Sequence, residues 1–314
     1  MLRFIARRLM YATITLTLVS VLVFVLTDLM PGDWATAFYG QEATPELLAQ
    51  MRAKYGLDRP VMERYANWVS GVFRGDFGES FAKKQPVASF LAGRLQTSLL
   101  LGGSAALVAM PFAVVLGIIA GLTRGRKTDT FLSMTSLIGM STPGFVVGTI
   151  LIYIFSIKLK ILPALTILRG GRTLAQLLPN IILPVATMTI VWTAYILRMI
   201  RTVVIDVGSS DFVQMAILKG MPRKRVILRH LLPSALLPAI NSLALMLASL
   251  IGGQVIIEGL FNYPGLGQNL IRSISNRDVP LVQGAVLLVA LMYTSINLGA
   301  DLVTRMLDPR LRGL

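Results

Sequence analysis

Apolar residues gather in six long blocks: Leu9–Leu29, Leu99–Leu122, Phe131–Ile157, Leu177–Met199, Ala235–Ile257 and Leu281–Leu302. Each reaches the roughly 20 residues that an α-helix needs to cross a hydrocarbon core of about 30 Å. The pattern predicts an all-α membrane protein with six transmembrane helices. The fourth block is the weakest, because Pro179, Pro184 and Trp192 interrupt it. Pro143 and Pro184 each remove a backbone hydrogen bond and should bend or loosen their helices. Small residues recur at a spacing of four (Gly117 and Gly121, Gly144 and Gly148, Ala244 and Ala248), and Gly252 adjoins Gly253. Such positions let helix backbones approach closely, as in ordinary bundle packing.

The polar stretch between the first two blocks is patterned too. In "ATPELLAQMRAKYGLDRP", Thr44 is placed to cap a helix and Pro45 to open it, with Leu47, Leu48, Met51 and Tyr55 on one face and Gly56 as the stop. A second helix starts on Pro60, and Val61, Met62, Tyr65, Trp68, Val69, Val72 and Phe73 repeat at helical spacing. Two amphipathic helices outside the membrane would form a small cap, or lie on the outer leaflet. The chain thus divides into an N-terminal tail with the first span (1–30), an extracytoplasmic helical segment (31–95) and a core of five spans (96–314). The opening "MLRFIARRLM" resembles a signal start. The long apolar run behind it ends in "LMPGD" without a small-residue cleavage site, which predicts a retained anchor.

Composition agrees, with 54% hydrophobic and only 14% charged residues, against about 25% charged in soluble domains. A net charge of +15 could suggest nucleic acid, but its distribution excludes that. If the N-terminus is cytoplasmic, sixteen of the thirty Lys and Arg fall in cytoplasmic segments and six in the two short outer loops. The rest lie in the long outer segment, which the positive-inside rule largely exempts. The basic charge sets topology, with both termini in the cytoplasm. The absence of cysteine rules out disulfides and thiolate metal sites.

Catalytic machinery is missing from the sequence. "GLTRGRKT" places its second glycine one position early for a phosphate loop, and "GMSTP" carries Pro143 where a nucleophile elbow needs glycine. The single histidine, His230, belongs to no zinc motif. Asp28, Glu258 and Asp301 fall near span ends, where water should reach them. No intramembrane acid pair offers a proton relay. Energy for any transport must come from another chain.

One segment breaks the apolar pattern. "QMAILKGMPRKRVILRHLLP", Gln214–Pro233, lies within a cytoplasmic connection spanning 207–233 and holds six basic residues of twenty. Asp211 to Lys219 can form a short helix capped by Ser209, Ser210 or Asp211, which Gly220 ends. Pro222 opens a second helix through Arg223 and His230 to Pro233. Val213, Ala216, Ile217 and Met221 give the first helix an apolar patch. Such an elbow suits a cytoplasmic socket, or a bed of anionic lipid.

The segment resembles the EAA loop of ABC-transporter permeases, E-A-A-x3-G-x9-I-x-L-P, with Ala216, Gly220, Leu232 and Pro233 in register. Gln214 stands for the Glu, Met215 for the first Ala and His230 for the Ile. "LRFIARRL", "MPGD", "GLDRP", "GDFGES", "STPGF", "EGLFNYPGLG" and "LDPRLR" extend the likeness along nearly the whole chain. It is similar to permeases of the dipeptide/oligopeptide/nickel type, and its long outer segment to the first of their two paired subunits.

The resemblance implies a half-channel of an importer. A second permease, usually different, would complete the path. Two cytoplasmic ATPases would carry ATP and Mg, with no cofactor or metal on this chain, and an extracytoplasmic solute-binding protein would deliver short peptides. Similar permeases carry nickel chelates, opines or oligosaccharides. The elbow would couple to the ATPases through Asp211, Gln214, Ala216, Gly220, Met221, Pro222, Arg223, His230 and Pro233. Ser141, Pro143, Asn241, Gln254 and Glu258 are the candidates for the translocation path. The expected location is a bacterial or archaeal cytoplasmic membrane. A stand-alone channel or a membrane enzyme would need no ATPase.

Overall fold

The computed structural model describes residues 2–29, 44–54, 56, 58–167, 174–235 and 252–307. Among these residues the chain is helical, and its only β pairing is an isolated antiparallel bridge between Glu79 and Pro86. The helices are α1 (Leu2–Asp28), α2 (Pro45–Lys54), α3 (Val61–Phe73), α4 (Val87–Leu122), α5 (Lys127–Ser141) and α6 (Gly144–Leu151), the last continuing as a π-helical turn, Ile152–Lys158. Then come α7 (Leu174–Gly208), α8 (Asp211–Leu218) and α9 (Arg223–Val226), followed by a second π-helical turn, Ile227–Leu231. Helix α10 covers residues 252–260, and α11 (Leu266–Ser275) and α12 (Val279–Leu307) complete the order.

Four of these helices are long and apolar enough to cross a membrane: Phe4–Asp28, Val87–Leu122, Leu178–Gly208 and Val279–Gly299. A fifth span results if α5 and α6 are counted as one, although they meet at 99°. That bend corrects the continuous block expected over Phe131–Ile157. Pro143 pushes Thr142 into extended backbone, at φ −90° and ψ 120°, so α5 stops there and α6 starts afresh behind Pro143. The expected span Ala235–Ile257 lies largely outside the described residues, as do Ala244, Ala248 and the "MPGD" motif. The second span begins twelve residues earlier than its apolar block, at Val87, because Val87 and Leu91 are buried in a core of their own.

Two compact units emerge, Met1–Ser98 with Pro264–Thr294, and Leu99–Tyr263 with Ser295–Leu314. In the first, Tyr65 and Trp68 of α3 pack on Phe24 of α1 at ring-centroid distances of 5.2 and 6.1 Å. The Tyr65 and Ser20 hydroxyls share a hydrogen bond, and Arg64 pairs with Asp28 at the end of α1. Val61, Met62 and Phe73 on the same predicted apolar face are exposed instead. Helix α3 starts one residue later than expected, with Pro60 as its N-cap. The core of this unit joins Val87 and Leu91 to Leu266, Leu281 and Ala285.

In the second unit Leu101, Ala105, Ala109 and Ala113 form a fully buried stripe on α4 at a spacing of four. Gly117 and Gly121 continue the stripe against Ile200 and Val204 of α7, and a Cβ on either glycine would lie within 2.7 Å of those side chains. Gly148 meets Leu260, Phe261 and Thr187 in the same way. Gly252 and Gly253 face open space. The proline-bearing fourth block forms one continuous helix, with Pro179 and Pro184 inside it and Trp192 buried. It is the most buried of the candidate spans, at 50%, and the least apolar of them. A helix half covered by protein needs lipid-facing residues on only part of its surface.

Candidate functional site

The basic elbow is a stop followed by a restart. Helix α7 ends at Gly208, and α8 begins behind Ser210, whose carbonyl accepts from the amides of Val213 and Gln214. The Ser210 hydroxyl turns back to the Val207 carbonyl, so α8 has no side-chain cap from its N-cap residue. Asp211 places its carboxylate in the first turn, where the helix dipole favours it.

Gly220 takes a left-handed conformation, φ +74°. Its amide donates to the Ile217 carbonyl and the Met221 amide to the Ala216 carbonyl, at 2.9 and 3.3 Å. This pair of bonds is a Schellman stop, closed by the residue type that tolerates that backbone at least cost. Pro222 serves as the N-cap of α9 rather than its first helical residue, and the amides of Arg225 and Val226 both point to its carbonyl. Beyond Val226 the backbone widens into the π-helical turn, where the Leu232 amide reaches back to the Ile227 carbonyl. Pro233 has no amide to donate, so the ladder is already interrupted there. His230 lies in this turn with its Nε2 buried and without a hydrogen-bond partner among the described residues, and Arg223 and Pro233 are exposed.

Burial divides the apolar patch of α8. Val213 and Ala216 are buried, with Met221 packed against the same core. Ile217 is exposed, as are Phe212, Met215 and Leu218. The last three recur every third residue and form one outward stripe, 80% exposed at Leu218. Sequence reasoning missed this stripe, because every residue from Phe212 to Leu218 except Gln214 is apolar.

Gln214 has a defined task in the geometry. Its Nε2 donates to the Gly208 carbonyl, 2.9 Å away, and ties α8 to the end of α7. A carboxylate at this position would have no proton to donate.

A half-buried ion pair fixes α7 about two turns before that end. Arg201 donates through Nε and Nη2 to the two oxygens of Asp129, at 2.5 and 2.9 Å. The Gly125 amide and the Ser133 hydroxyl also donate to Asp129, which is 4% exposed. The α4–α5 turn is therefore locked to α7. The sequence signal was an acid in the first turn of α5, behind a left-handed glycine.

Four of the five path candidates fall in two places among the described residues. Ser141 and Pro143 lie at the α5–α6 break and are exposed. Asn241 lies outside the described residues. Gln254 and Glu258 sit one turn apart on α10, joined by a 2.9 Å hydrogen bond from Nε2 to Oε1. Glu258 is 1% exposed, which corrects the expectation that water reaches it. The reason is the turn after α10. Asn262 adopts φ +50° and the Tyr263 amide closes on the Glu258 carbonyl at 2.8 Å, which folds Phe261 and Tyr263 inward. Burial, reinforced by the Glu258 charge, pushes the Tyr263 phenol above its usual range. Among the described residues no cluster of His, Cys, Asp and Glu could hold a metal.

Residues 113–313 match the family model for the binding-protein-dependent transport system inner membrane component, and residues 1–102 match that for the N-terminal part of such components. A probable peptide ABC transporter permease protein, y4tP of Sinorhizobium fredii, is 33% identical over 98% of this chain and 99% of its own length. The glutathione transport system permease protein GsiC of Escherichia coli is 34% identical over 99% of each chain. Among solved structures, the methionine ABC transporter MetNI in inward-facing conformations superposes with a TM-score of 0.50 at 15% identity, over 68% of this chain and 92% of that one. That likeness concerns the fold.

Proposed function

The chain belongs to the binding-protein-dependent transport system inner membrane component family, and from that premise we propose how it works as one half of an importer. It is a multi-pass inner-membrane permease subunit of an ATP-binding-cassette importer. In our reading it has six spans with both termini in the cytoplasm, so the elbow faces cytoplasmic ATPases. The positive-inside distribution supports this orientation.

The observation that carries the coupling role is the elbow itself. An exposed apolar stripe of Phe212, Met215 and Leu218 stands on a short helix tied by Gln214 to the end of α7. Such a stripe fits an apolar socket on an ATPase. Motion of the ATPase would then pass through Gln214 into α7 and on through the Asp129–Arg201 pair to the α4–α5 turn, with α4, α5 and α6 following as packed bodies. ATP and Mg belong to the two partner ATPases. This chain hydrolyses nothing.

A second permease would complete the path, and the exposed break at Ser141 and Pro143 is its proposed lining. Gln254 and Glu258 would support that lining from behind, and Asn241 is a further candidate from the sequence alone. An extracytoplasmic binding protein would deliver the solute in a bacterial or archaeal membrane. We assign short peptides as that solute because the relatives carry the names peptide and glutathione permease, and glutathione is itself a tripeptide. Nickel chelates, opines and oligosaccharides are the competing cargoes.

Gentle purification from the native membrane, with mass spectrometry of every accompanying chain, tests the assembly. Two ATPases and a sister permease are the expected companions. A chain that emerges alone would overturn the importer assembly and favour a stand-alone channel. Uptake of a labelled tripeptide into vesicles, competed by unlabelled peptide but not by nickel chelates, tests the solute.

A further inference from the structure

The first unit holds a polar cleft of about 280 Å³ that the transport cycle outlined above does not use, lined by Lys83, Phe90, Arg94, Asn269, Arg272 and Asp278 among others. Its volume lies near the lower end of small-ligand pockets, which run from about 300 Å³. Gln268, Asn269 and Ser273 of α11 also face it and are all buried, which is unusual for such residues. The Asn269 side chain is 6% exposed, and its Nδ2 has no hydrogen-bond partner among the described residues. Buried donors are nearly always paired, so an unpaired amide lining a cleft indicates a ligand that accepts.

Charge gives the sign of that ligand. Three cations line the cleft against one carboxylate. That carboxylate, Asp278, is already occupied. Its oxygens accept from the Ser80 hydroxyl and from the amides of Phe81, Ala82 and Leu281, at 2.5, 3.2, 3.1 and 3.5 Å. Asp278 thereby pins the Glu79–Pro86 turn, and the three cations against its single charge give the lining a net charge of about +2. Lys83 and Arg94 both lie over the Phe90 ring, at 5.2 and 4.8 Å from its centroid, and Arg94 also donates to the Pro264 carbonyl. Lys83 and Arg94 are thus positioned before any ligand arrives.

We propose that this cleft binds a carboxylate, held by the Asn269 amide and by the charges of Lys83, Arg94 and Arg272. The site stands on its own geometry. Only the source of the carboxylate rests on the importer reading, where the orientation proposed above puts the cleft on the extracytoplasmic side. One source is an acidic side chain of the docked solute-binding protein. The other is the terminal carboxylate of the peptide being handed over.

The test uses the full transporter in lipid nanodiscs, with Asn269→Leu and Arg272→Glu. Asn269→Leu keeps the side-chain size and removes the free donor, whereas Arg272→Glu changes an exposed residue and should not disturb folding. Saturation-transfer NMR with acetate at fixed ionic strength should give a signal that falls at least fivefold in both variants. The same signal in native and variant transporters, or none in any, overturns the site. Two further readings assign the source. If Arg272→Glu raises the binding-protein concentration for half-maximal ATPase stimulation at least tenfold, and trialanine and its amide give equal signals, the carboxylate is the docked protein's. If trialanine binds and its amide does not, while that titration is unmoved, it is the solute's. The acetate measurement needs neither ATPase nor binding protein, so a failed importer assembly would leave it readable.

Discussion

Gly220 offers the sharpest test of the elbow, because its constraint is purely one of backbone conformation. A Cβ built there meets no atom within 4 Å, so a larger residue has room. The cost comes from φ +74° alone. Left-handed backbone costs an L-residue about 1–2 kcal/mol, Asn tolerates it best, and a β-branched residue is a genuine outlier there. Relative to Gly, the expected penalties are therefore a few tenths of a kcal/mol for Gly220→Asn, about 1 for Gly220→Ala and about 2 or more for Gly220→Val, a series set by conformation rather than by size.

At about 1.4 kcal/mol per factor of ten, the Ala and Val variants should lower the population of the formed elbow by roughly 5-fold and 30-fold. The readout is the number of solute molecules moved per ATP hydrolysed in proteoliposomes, together with retention of the ATPases on purification. Both should decline in the order Gly, Asn, Ala, Val. If Asn and Val were equally damaging, side-chain bulk would be the cause and the Schellman stop would be irrelevant. Normal coupling in Gly220→Val would remove the elbow from the mechanism altogether.

Three further outcomes are expected. Gln214→Glu should weaken the α7–α8 tie by about 1 kcal/mol, since the carboxylate cannot donate to the Gly208 carbonyl, and a severalfold loss of ATPase affinity would register it. Asp129→Asn and Arg201→Met should each destabilise the detergent-solubilised protein by about 2 kcal/mol, as loss of charged hydrogen bonds in a half-buried pair does, and the double variant should recover part of that loss; strictly additive thermal shifts would show that the pair is not coupled. Gly121→Ala sets a Cβ 2.6 Å from Val204 Cγ1 and should cost about 1–3 kcal/mol by overpacking, whereas Gly103→Ala, in open space on the same helix, should gain up to about 1 kcal/mol, which unfolding midpoints would compare.

What the sequence discloses about this chain is its local backbone commitments. Gly220 and Pro222 announce the stop and restart of the elbow, and Thr142-Pro143 announces a break, because glycine and proline act on their own dihedrals and those of their immediate neighbours. The size of that break, 99°, was not legible, since it depends on what α5 and α6 pack against. The inward side of α8 was equally hidden. With Phe212, Val213, Met215, Ala216, Ile217 and Leu218 all apolar, the helix has no face that periodicity could single out. The fourth block also ranked last, because Pro179, Pro184 and Trp192 read as interruptions, whereas α7 runs on through both prolines and buries Trp192.

Polar pairings across the chain were the other blind spot. Asp129 finds Arg201 seventy-two residues away, and Glu258 is enclosed by a turn whose Asn262 could have been read locally but whose burial could not. The two kinds of feature meet at the elbow. Its shape is set by local residues and its attachment to α7 by Gln214, while Asp129 holds the α4–α5 turn to the same helix. Substitutions at Gly220 should therefore alter coupling while leaving the midpoint of unfolding nearly unchanged, and substitutions at Asp129 should move both. A Gly220→Val protein with a strongly lowered unfolding midpoint would mean that the stop at Gly220 supports the whole core that Val213 and Ala216 join, rather than the elbow alone.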